Sequence, residues 1–255
     1  MKLRFALTFL IIALALRAQA TPLTDKELDA IGRRVWVNEC GGTREGLTSW
    51  NSGEAFASLG IGHFIWYPKG AGGPFEESFP HLARFLAASG ATVPAWIENG
   101  PCPWATRAEF ESQFHSARMV ELRALLVATV RLQSRFLVQR MEDSLAKMLT
   151  AAPAGQRENV RAQFERMKSG GGAFALIDYV NFKGEGVKPE ERYAGEGWGL
   201  LQVLAGMRGA GKGARAEFAE SAAAVLARRV RNSPPARNEQ RWLAGWKKRV
   251  ASYAE

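Results

Sequence analysis

One interruption in an otherwise helical pattern constrains this chain more than any other feature. "TDKELDAIGRRVWVNEC", residues 24–40, opens with Thr24 and Glu27 at the spacing of a capping box. Leu28, Ile31 and Val35 then recur at helical period until Gly41-Gly42 stops the run. Between Phe56 and Tyr67 the residues turn aromatic, branched and small, which reads as a hairpin of strands. Helical spacing returns at a second capping box, Thr106 to Glu109, and continues to Leu149 as one or two long helices. Gly and Pro clusters at "YPKGAGGPF", "NGPCPW", "AAPAGQ" and "KSGGGA" punctuate the rest. The expectation is an α+β, mainly α-helical fold with a small β-hairpin or sheet after the first helix.

Residues 1–20 carry Lys2 and Arg4, an apolar stretch and the small-x-small end Ala18-Gln19-Ala20. That is the pattern of an export signal, with the mature chain starting at Thr21 and a single domain over 21–255. The apolar stretch is too short to span a bilayer comfortably, so a periplasmic or secreted protein without stable membrane insertion is expected. Removing Lys2, Arg4 and Arg17 takes the 34 basic residues to 31 against 25 acidic, and the net charge from +9 to +6. In an exported protein this excess points to an anionic surface such as cell-wall glycan. No nucleic-acid motif is present, and "GMRGAGKGAR" lacks the full phosphate-loop pattern and reads as a surface turn. His63, His81 and His115 have no zinc spacing, and no metal or organic cofactor is implied. Cys40 and Cys102, the two cysteines, would form one bridge in an oxidising compartment, with a pair of buried thiols as the alternative.

Glu39 lies four residues beyond Val35, on the stripe that faces the core at the end of the first helix. A poorly solvated carboxyl group there is suited to donating a proton; a frayed helix end that turns it outward is the alternative. Gly60 and Gly62 let the strand backbone come close either to a glycan or to a packed helix.

Glu39 followed, after a polar loop, by Ser58-Leu59-Gly60-Ile61-Gly62-His63 resembles the phage-type lysozymes of the lysozyme-like superfamily. The resemblance implies a lysozyme-like fold and a glycoside hydrolase that cleaves peptidoglycan glycan strands, or a related amino-sugar polymer, with Glu39 as general acid. Ser58 stands where that family positions water with a threonine. Where the family has an aspartate this loop has Glu45 and Glu54; Glu54, nearer the strand, is taken as the second carboxylate, with Glu45 next in line. His63, Gly60 and Gly62 would face substrate, and Trp50, Trp66 and Tyr67 would stack on sugars or serve as local core. "DYVNFKGEGVKPEERYAGEGWGLLQVL" resembles the family's second half, which would put Asn181, Gly184 and Glu185 at the cleft wall; a connector capped by Asn181 is the alternative. "NEQRWLAGWKKRVASY" resembles the final amphipathic helix, with Trp242 and Trp246 read as core.

Two rival functions remain open. "GWGLLQV" resembles a signature of lytic transglycosylases, which would make Glu185 the catalytic acid, although Gly186 replaces the serine that usually follows. The other rival is a cell-wall-binding or inhibitory protein that keeps the fold without turnover.

Overall fold

The structure is a computed structural model that describes residues 23–73, 75–209 and 213–255. The export segment and its cleavage point lie outside the described residues, as do positions 210–212 of the glycine-rich turn. The chain runs α1 (Asp25–Cys40), β1 (Thr48–Ser49), β2 (Ala57–Leu59), β3 (Phe64–Trp66), α2 (Phe79–Ala88), α3 (Ala95–Glu98), α4 (Arg107–Ser112), α5 (Ala117–Ala128), α6 (Val130–Ala151), α7 (Arg157–Ser169), α8 (Ala173–Lys183), β4 (Arg192–Tyr193), β5 (Glu196–Gly197), α9 (Leu200–Gly206), α10 (Ala214–Asn232) and α11 (Gln240–Ala251). It is mainly helical, with one antiparallel sheet in the order β1-β2-β3 and a second of β4-β5. Among the described residues no helix is long and apolar enough to cross a membrane.

The amino end forms as its sequence requires. Thr24 Oγ1 accepts from Glu27 N at 3.3 Å while Thr24 N donates to Glu27 Oε2 at 2.7 Å, so both halves of the capping box are made. Gly41, at φ 62°, takes the left-handed conformation that closes α1. Leu28, Ile31 and Val35 are buried, and α1 packs on the long helix α6, which also receives α8.

The expected long helices between 106 and 149 are three. Thr106 caps α4, but the Glu109 carboxylate reaches back to Ala105 N at 2.8 Å rather than to the cap residue. Ser116 then caps a new helix through Met119 N. At Thr129 the helical path breaks again, because Gln133 Nε2 donates to the Leu126 carbonyl at 2.6 Å and to Thr129 Oγ1 at 3.1 Å. Gln133 is fully buried, and its Oε1 accepts from Ile61 N at 2.9 Å, which ties the β2–β3 turn to α6. A Cβ at Gly60 would meet Gln133 Oε1 at 2.5 Å, and one at Gly62 would meet the Phe64 ring at 2.8 Å. Both glycines therefore serve the chain's own packing, and Gly62 also lines the cleft in front of His63 while Gly60 does not. Trp50, Trp66 and Tyr67 are core as well: Trp66 lies 4.8 Å from Phe79 between ring centroids, and Trp50 meets the edge of Phe110.

The expected disulfide is absent. Cys40 and Cys102 are both free and buried; Cys40 Sγ donates to the Gly60 carbonyl at 3.4 Å and Cys102 Sγ to the Trp104 carbonyl at 3.5 Å. The two thiols have separate carbonyl partners, and burial pushes each up to about 12. Titration of the denatured, unreduced protein is expected to find two thiols per chain, with alkylation at pH 8 slow until denaturant is added.

Candidate functional site

The carboxylate of Glu39 is placed by three elements. Its position comes from the last turn of α1, and it is 14% exposed. Its Oε1 accepts from Arg249 Nη2 on α11, and its Oε2 lies 3.6 Å from His63 Nδ1. His63 adopts φ 49° in the turn that Gln133 fixes, which leaves its ring on the Glu39 side. The apolar surroundings expected for Glu39 are thus replaced by a guanidinium and an imidazole.

Arg249 is itself held from behind. Asp178, fully buried on α8, accepts from Arg249 Nε and Nη2 at 2.8 Å each, from Tyr253 Oη at 2.5 Å and from Asn38 Nδ2 at 3.2 Å. Burial alone would lower the Arg249 pKa, but the hydrogen bonds and charge of Asp178, with Glu39 added, carry it well above the usual value. The guanidinium bridges a fully buried carboxylate and a largely buried one.

In front of His63 lies a cleft of about 500 Å³, of the size that takes small ligands. Asn181, Lys183 and Glu185 come to it from α8 and the turn after it, Tyr193 and Trp198 from the β4–β5 hairpin and its exit, and Arg140 from α6. The turn at 184–186 is pinned to the start of α9: Leu200 N and Leu201 N donate to the carbonyls of Gly184 and Glu185 at 3.0 Å, and Gln202 Nε2 donates to Gly186. Glu185 pairs with Lys147 at 3.0 Å. His63, Asn181 and Glu185 thus share the cleft as the sequence suggests.

Gly62 and Gly184 line it too, but Glu39, Trp50, Glu54, Ser58 and Gly60 are not among its lining residues. Ser58 is 3% exposed in the middle strand, opposite Ile65. Glu54 is outside the cleft lining, and its Oε2 accepts from Asn51 Nδ2 at 3.0 Å. The carboxylates that do line the cleft are Glu76, Glu185, Glu190 and Glu191. Compared with protein-family models, curated proteins and solved structures, the chain matches none. The likeness to phage-type lysozymes rests on Glu39 and the 58–63 stretch.

One wall of the cleft alternates cations with aromatic rings. Arg249 sits over Phe182 at 4.1 Å, Lys183 Nζ lies 3.8 Å from the Phe182 ring centroid and 3.5 Å from that of Trp246, and Arg229 sits over Trp198 at 4.0 Å. Arg229 and Tyr193 converge on Glu239, which is 1% exposed. Sequence reading missed Asp178, Arg249 and Lys183. A charge inside "AFALIDYV" was the available signal for Asp178.

Lys183 is pulled in two directions. The ring faces favour an ammonium, but burial, with Arg229 and Arg249 nearby, outweighs them and the charges of Glu239 and Glu39, and brings its pKa down to about 6. Unfolding returns it to the ordinary 10.5, so between those values the unfolded chain binds the extra proton and stability rises with pH. Lys183→Met is expected to be more stable than the parent at pH 6, with the difference shrinking as pH approaches 10, as read by denaturant unfolding. Asp178→Asn removes the buried anion that holds Arg249 and is expected to cost at least ~3 kcal/mol in the same measurement.

Proposed function

We propose that this chain is an exported glycoside hydrolase with a lysozyme-like fold that cleaves peptidoglycan or a related amino-sugar polymer, with Glu39 as the proton donor. The observation that carries the reading is the placement of Glu39: a helix end and the sheet turn set it against His63, which lines the cleft, although Glu39 itself is not a lining residue. With Arg249 on Oε1, the oxygen left to give a proton to the glycosidic bond is Oε2, on the His63 side. Glu54 and Ser58 drop out of the mechanism on position, and the water-activating carboxylate is sought among the acids that line the cleft.

Glu185 favours a second reading, a lytic transglycosylase, because it lines the cleft directly and is 18% exposed. The experiment is product analysis on purified peptidoglycan. The protein is expected to release reducing ends, Glu39→Gln to lose that activity by on the order of a hundredfold or more, and Glu185→Gln to retain most of it. Anhydro-sugar ends, with Glu185→Gln dead and Glu39→Gln active, would transfer the role to Glu185. Binding without release of either product would mark a wall-binding protein.

A further inference from the structure

We infer that Lys183 recognises a carboxylate on the bound glycan, so that the cleft selects an acidic sugar strand over a neutral or cationic one. This rests on the glycan-binding reading of the cleft. The cations around it divide into two groups. Arg229 and Arg237 pair with buried Glu239, and Arg249 pairs with Asp178 and Glu39. These charges are already balanced within the protein and hold the wall in shape. Lys183 belongs to the second group: among the described residues its ammonium contacts two ring faces and has no carboxylate or hydrogen-bond acceptor. Arg140, over the Phe64 ring at 6.0 Å, also lines the cleft and makes no ion pair among the described residues.

An amine held between rings in a partly desolvated wall has no counterion of its own to stabilise its charged form. Glu39 and Glu239 are the nearest acids acting on it, and both are committed to arginines. A ligand carboxylate completes the pair and restores the hydrogen bonds that burial took from the amine. The lactyl ether of a muramic acid residue supplies such a group, and so does the C6 acid of a uronic acid; both place it at the edge of a pyranose. A polymer of free amino sugars such as chitosan supplies the wrong charge. Because Lys183 is held near neutrality in the empty cleft by burial and by Arg229 and Arg249, pairing also draws a proton onto it. Between about pH 6 and 8, carboxylate binding is therefore expected to take up protons and to weaken as pH rises. Glu39, His63, Glu239, Arg229 and Arg249 also face this region, so the pH series is run both with Lys183 and with Lys183→Met.

The experiment measures binding by calorimetry in Glu39→Gln, which removes turnover from the readout. The probes are a peptide-free muramic-acid-containing tetrasaccharide, the same compound with its carboxyl groups reduced to alcohols, an oligogalacturonate, and oligomers of N-acetylglucosamine and of glucosamine. The muramyl acid is expected to bind on the order of tenfold tighter than its reduced form, a single charge pair's contribution. Adding Lys183→Met is expected to abolish that preference and the proton uptake while leaving N-acetylglucosamine binding in place, which also shows that the variant is folded. Lys183→Arg should restore the preference without the pH dependence. Tighter oligogalacturonate binding than muramyl binding would name the uronic acid as the source. Equal affinity for the acid and its reduced form, or a preference for glucosamine oligomers, overturns the inference even if peptidoglycan is cleaved. A carboxylate preference in a protein that cleaves nothing leaves the inference standing and removes the hydrolase.

Discussion

The grip of Asp178 on Arg249 is the interaction on which the rest of the site depends. A carboxylate with no exposure is costly unless every lone pair finds a donor, and Asp178 finds a guanidinium, a phenol and an amide. The arrangement unites α1, α8, α11 and the turn that carries Tyr253 around one anion. Arg249 then has one direction left in which to use its outer nitrogen, toward Glu39. The orientation of the candidate acid is thereby decided in the core, not at the surface where it would act.

A similar arrangement recurs on the far side of the same wall. Glu239 is buried, and burial alone would raise its pKa; Arg229, Tyr193 and Arg237 more than offset that and leave it below the usual carboxylate range. Two buried acids thus anchor three arginines, and the aromatic rings beside Arg229 and Arg249 fill spaces that water would otherwise enter. Such a wall is stiff because Arg229 and Arg249 each have both a charged partner and a ring beneath them. Lys183 is the exception in this wall, since it has the rings without the partner.

Local signals were legible in the sequence where they were local in cause. The Thr24 capping box, the Gly41 stop and the hairpin between Ala57 and Trp66 all follow from contacts within a few residues, and each formed. The one or two long helices expected beyond Thr106 became three: Ser116 caps a new start locally, and the break at Thr129 depends on Gln133, whose side chain is drawn to Ile61, 72 positions earlier. Trp50 and Ser58 failed as site residues for a related reason: strand alternation says that a residue points to one face but not which face the core will cover. Glu39, His63, Asn181 and Glu185 were singled out by residue type and motif, and the structure brings His63, Asn181 and Glu185 to one cleft with Glu39 beside His63. Asp178 and Arg249 were hidden because their meaning lies in a pairing across 71 residues, which no spacing rule encodes.

The span between Glu39 and Arg249 has a consequence in time. These partners are 210 residues apart, so a chain that appears amino end first presents its acid long before the residue that orients it. Until α11 has docked, Glu39 has neither its arginine nor, through Asp178, the closed helix junction behind it. The junction therefore closes only with α11. An emerging or partly folded chain carries Glu39 without the arginine that orients it, and docking of that helix is what fixes the carboxylate beside His63.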